Sequence, residues 1–101
     1  MKVEWATTPW QKFLGLMFRK EVKKPLVLVL GKESRMGASI HMMFMRFPID
    51  AVFLDTERKV VDTATLRPWA LNYTPKKPAK YVVEMKAGTA NHKLGATVKL
   101  E

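Results

Sequence analysis

The stretch that most constrains this chain runs from Ser39 to Asp55, SIHMMFMRFPIDAVFLD. It is the longest apolar run in the sequence, so it has to be buried. Three polar residues interrupt it: His41, Arg46 and Asp50. An unpaired ion in an apolar interior is costly, so a charge here needs a partner or a cradle of hydrogen bonds. The run therefore marks both the core and the first region in which to seek a site.

The pattern on either side is that of short strands. Val3 and Trp5 alternate with Lys2 and Glu4 near the start. Thr8-Pro9-Trp10-Gln11 has the form of a helix N-terminus with a capping box. Trp10, Phe13, Leu14 and Met17 then share one helical face, which predicts a buried face and a helix ending near Lys20. Leu26 to Leu30 is apolar throughout, bounded by Pro25 and Gly31, and reads as a buried strand. Ser39 to Phe47 reads as the next strand, stopped by Pro48. Ala51 to Leu54 and Val60 to Ala64 flank the polar turn Asp55–Lys59, a hairpin pattern. Leu66 to Pro78 is proline-rich and basic and predicts an exposed loop. Lys80 to Met85 is a strand, Ala90 to Leu94 suggests one helical turn, and Ala96 to Leu100 suggests a closing strand. The expected fold is mostly β: a small half-open barrel or sandwich of roughly six or seven short strands with one short N-terminal helix. An open α+β layer is the alternative.

A length of 101 residues, 48% hydrophobic and 27% charged, suits a single compact β-rich domain over residues 1–101. The net charge of +9 favours an anionic partner such as nucleic acid. Surplus lysine that simply keeps a small domain in solution explains the same number. The absence of cysteine removes disulfides, thiolate metal sites and a cysteine nucleophile. No basic segment followed by an apolar one opens the sequence, and no transmembrane segment is present, so a cytoplasmic location is expected.

Several pieces in order carry a family resemblance. They are Gly15-Leu16-Met17-Phe18-Arg19, Ile40-His41, Met45-Arg46-Phe47-Pro48-Ile49-Asp50 and Phe53-Leu54-Asp55. Arg67-Pro68-Trp69, Val83-Glu84, Ala87-Gly88 and Gly95 continue the series. Together the chain resembles the uncharacterised family called domain of unknown function 192. The resemblance spans nearly the whole sequence and implies one compact β-rich domain. It implies no activity.

The residues themselves offer three candidate chemistries. Asp50 and Glu84 are carboxylates in apolar surroundings, and in one pocket they could share a proton. Such a site would draw on His41, Arg19 and Arg46 and be enzymatic or bind a small molecule. The alternative is that each carboxylate accepts backbone N–H bonds or pairs with an arginine. His41 with Met43 and Met45 could line up as a soft metal site on one strand face, although methionines in such a run more commonly fill a core. The usual ligand spacings are missing, so no metal and no cofactor is expected. Third, Arg67, Lys76, Lys77 and Lys80 interleave with Trp69 and Tyr73, a pattern suited to single-stranded nucleic acid. Against this stands a solvated loop whose Trp69 folds back onto the core. No phosphate-binding glycine loop or Gly-x-Ser-x-Gly elbow is present, and a binding or accessory domain without catalysis is the reading carried forward.

Overall fold

A computed structural model describes residues 1–101. The elements in chain order are β1 (Glu4–Ala6), α1 (Pro9–Leu14), β2 (Leu26–Ser34), β3 (Ile49–Leu54), β4 (Val60–Leu66) and β5 (Ala79–Lys86). They form one mixed sheet in the order β1-β2-β5-β3-β4. β1 runs parallel to β2, and the other pairings are antiparallel. The sheet stays open, with β1 and β4 at its edges. The mostly-β class with a short N-terminal helix is thus what the chain adopts.

All six residues of β3 are buried because apolar layers cover both faces of the sheet. Its pleat sends Ile49, Ala51 and Phe53 to one side, where Leu16, Ile40, Met42 and Met45 pack over them. Val52 and Leu54 point to the other side, against Val60, Val83, Val98 and Leu100. This is why the run from Ile49 shows no polar alternation. The β3–β4 hairpin turns where expected. Asp55 Oδ1 accepts from the N–H groups of Glu57 and Lys59, each at 2.9 Å.

Five strands form, against six or seven expected, and two segments account for the difference. Ser39–Phe47 is not a strand. Its one β-bridge joins Ile40 to Tyr73, after which it turns twice, with Phe44 at φ 62°. Ala96–Leu100 contributes only the bridge Lys59 to Thr97. Ala90–Leu94 is irregular rather than helical, and the chain turns at Gly95 (φ 85°).

The helix is also shorter than the apolar spacing predicts. The capping box forms as read, with Gln11 N–H donating to Thr8 Oγ1 at 3.1 Å. However, α1 stops at Leu14 because Gly15 takes φ 48°, outside the helical region. No residue of α1 is buried, and Trp10 and Phe13 are 68% and 57% exposed. Leu16, one residue past the break, enters the core instead.

Candidate functional site

Three loops meet on one side of the sheet, each presenting an aromatic ring to solvent. The turn after α1 carries Phe18, the segment 40–45 carries Phe44, and the loop after β4 carries Trp69. Backbone bonds lace them together. Phe18 N–H donates to Phe44 C=O at 3.2 Å, Trp69 N–H to Met42 C=O at 2.6 Å, and Met42 N–H to Ala70 C=O at 2.8 Å. Because Ile40, Met42 and Met45 are drawn into the core, Phe44 is left outside. Phe18 and Phe44 stack at 5.2 Å, and Phe44 meets Trp69 edge-on at 5.0 Å. Phe18, Phe44 and Trp69 have φ of 66°, 62° and 66°. Large side chains seldom adopt this left-handed conformation, which costs on the order of 1–2 kcal/mol per residue. All three rings remain 43–57% exposed, so solvent reaches each of them.

Each ring has an arginine within two residues: Arg19, Arg46 and Arg67, all exposed. Arg19 pairs with Glu4 at 3.0 Å. Arg46 and Arg67 enter no ion pair. Trp69, more than half exposed, does not fold back onto the core. Tyr73, which the sequence suggested as a second stacking ring, is not available. It is half-buried, lies against Phe53 at 5.7 Å, and its hydroxyl donates to Asp62 at 2.6 Å. Burial, then that bond, pushes its pKa up to about 12. Lys80 is occupied on Gly31 C=O at 3.0 Å, and Lys76 and Lys77 are exposed.

Asp50 and Glu84 do not share a pocket. In the β3–β5 ladder Glu84 stands opposite Ala51, while Asp50 stands opposite Met85. The pleat sends the two carboxylates to opposite faces. Asp50 is fully engaged, accepting from Thr65 Oγ1 at 2.7 Å and from the N–H groups of Gly88 and Ala90 at 2.9 and 3.1 Å. It ties the turn after β5 to the hairpin. A second buried aspartate, Asp62, does the same for the loop after β4, accepting from Tyr73 and from Lys76 N–H. It shares a face of β4 with Ala64 and Leu66, an alternation legible in VVDTATL, whereas a register shift opposite Phe53 and Leu54 sends Val60 to the other face. Phe18 had no comparable signal.

Glu84 is different. It is 5% exposed and enters no ion pair. Burial raises its pKa to about 7, opposed by the field of Arg19. Its carboxylate lies at a cavity of about 60 Å³ lined by Lys12, Phe13, Gly15, His41, Met42 and Met45, among others. His41 is half-buried there, 6.4 Å from the Phe13 ring, and its Nδ1 accepts from Met43 N–H at 3.3 Å. Met43 is exposed while Met45 is buried, so the alignment needed for a soft metal site on one face is not made.

The comparisons with known proteins agree on kinship. The profile of domain of unknown function 192, described as an uncharacterized ACR, matches residues 1–100. A UPF0127 protein of Pyrococcus furiosus is 48% identical over 84 residues, which is 83% of this chain and 71% of that protein. A UPF0127 protein of Thermococcus kodakarensis is 49% identical over 87 residues, 86% of this chain but only 55% of the relative. The chain thus spans little more than half the length of that relative. A crystal structure of a protein of unknown function from Novosphingobium aromaticivorans superposes with a TM-score of 0.87 at 25% identity, covering 96% of this chain and 73% of that one.

Proposed function

The chain belongs to the family called domain of unknown function 192, and we propose that it is a small basic binding domain whose aromatic face takes single-stranded nucleic acid. The observation that carries this reading is the trio Phe18, Phe44 and Trp69. Three exposed rings are held in costly backbone conformations and flanked by arginines. Strained backbone of this kind tends to cluster at functional positions. Flat, exposed rings stack on bases, and arginines reach the phosphates between them. A net charge of +9 raises the local concentration of any polyanion. A cytoplasmic location belongs to the same proposal, and fractionation of cells tests it.

Trp69 supplies the assay. Adding an unstructured oligonucleotide of about ten residues at low salt quenches indole emission when a base stacks on the ring. Phe44→Ala removes the ring between the other two and weakens binding by about 1–3 kcal/mol while the fold persists. An unchanged affinity in that variant, with binding intact, would move the interface elsewhere on the protein.

A further inference from the structure

The Glu84 cavity is lined from the same two loops that carry Phe18 and Phe44. Met17 and Gly15 precede Phe18, and Met42 and Met45 flank Phe44. We propose that Glu84 reads a base, accepting the N1–H and N2–H donors of a guanine whose ring lies against Phe13 and His41. The inference rests on the nucleic-acid reading above and names what that face selects.

The physical argument is that the carboxylate lacks a donor. Buried carboxylates are ordinarily hydrogen-bonded or paired, and this one has only the field of Arg19. An ionised carboxylate is an acceptor with two oxygens side by side. Among the four bases, guanine presents two adjacent N–H donors on its pairing edge, and single-stranded bases are read on that edge. A cavity of about 60 Å³ admits an edge and not a whole purine, so the ring must remain at the rim. Phe13 and His41 are among the residues that line the cavity, their rings 6.4 Å apart, and Trp10 stacks on Phe13 at 6.0 Å. Lys12 on α1 lines the cavity and Arg19 acts on it from the following turn, cations suited to the attached phosphate. Gly15 completes the fit. A Cβ built there would stand 3.3 Å from Glu84 Oε1, and its φ of 48° disfavours any side chain.

The test uses the full chain and single-stranded oligouridylates of about eight nucleotides. One central residue is uridine, adenosine, inosine or guanosine. The guanosine oligomer is expected to bind about tenfold tighter than the all-uridine one. Inosine, which lacks the N2 amino group, falls between, and adenosine shows that a larger purine surface is insufficient. The preference grows between about pH 6 and pH 8 as Glu84 ionises. The titratable and charged groups on the side of Glu84 are Lys12 from α1, Arg19 from the turn after it, Glu4 from β1, which holds Arg19 at 3.0 Å, and His41 from the 40–45 segment; β2 and β3 present Leu26, Leu28, Ala51 and Ile49. Glu84→Gln and, separately, Gly15→Ala reduce the guanosine oligomer to the all-uridine level without weakening the latter. Equal binding of all four oligomers to the parent protein overturns base reading and leaves stacking standing. A guanosine preference, or its pH dependence, that survives Glu84→Gln also overturns it and assigns the effect to His41 or the rings. Failure of every oligomer to bind at low salt overturns both readings.

Discussion

Two buried acids of similar surroundings behave in opposite ways, and the difference lies in their donors. Asp50 has three, so removing it strands the Thr65 hydroxyl and two backbone N–H groups. Asp50→Ala is expected to cost about 3 kcal/mol or more in urea unfolding, with faster amide exchange at Gly88 and Ala90. Glu84 is held by no donor, and burial lifts its pKa from 4.5 to about 7. Its neutral form is the one the fold tolerates. The folded state therefore binds the proton more tightly than the unfolded chain, and stability falls as pH rises from 4.5 to about 7. At roughly 1.4 kcal/mol per pKa unit the loss is on the order of 3 kcal/mol. Glu84→Gln should flatten that slope and be the more stable protein near pH 8. Parallel pH profiles of parent and variant would show that Glu84 finds a partner in solution. The sequence marked both acids as exceptions in apolar runs, but separating them took the register. A one-residue offset between partners across β3 and β5 decides which face each enters.

At the scale of elements, the loops rather than the strands carry the exposed rings, and their backbone gives a separable prediction. At most positions glycine is less stable than alanine because it frees the unfolded chain. Trp69 sits at φ 66°, where alanine carries a steric penalty and glycine carries none. Trp69→Gly should therefore be more stable than Trp69→Ala by about 1 kcal/mol, reversing the usual order. Both lose the stacking ring equally, which separates strain from recognition. The strands were legible because burial on both faces leaves an unbroken apolar run, as in Leu26–Leu30 and Ala51–Leu54. The helix cap was legible because it is local. The segment 39–47 was not, since its apolar residues alternate like a strand but serve a turn-rich cover over the sheet. Its turns depend on Phe18, Ala70 and Tyr73, which are distant in sequence. For the same reason the aromatic face was only half visible. Trp69 stood out among the basic residues of its loop, whereas Phe44 lay inside a run that read as a strand; Trp10 and Phe13, outside that face, mimicked an ordinary buried helix face until Gly15 cut the helix short.

For the whole molecule, the question is whether +9 is a diffuse property or a working one. A diffuse charge attracts any polyanion, and no single residue matters to it. A localised interface instead depends on particular cations, and Arg46 and Arg67 are the free ones beside the rings. Each phosphate contact on a single strand contributes about −0.7 to the slope of log affinity against log salt. Contacts from Arg19, Arg46 and Arg67 would therefore give a slope of about −2. Arg46→Ala and Arg67→Ala should each make that slope shallower by about 0.7 and weaken binding alike for every base sequence, because phosphate contacts carry no sequence information. Lys99→Ala, an exposed cation on the C-terminal segment that covers the opposite face, should change the slope little. Equal effects from all three substitutions would mean that the charge acts as a general field. The rings would then have to bind something other than a polyanion.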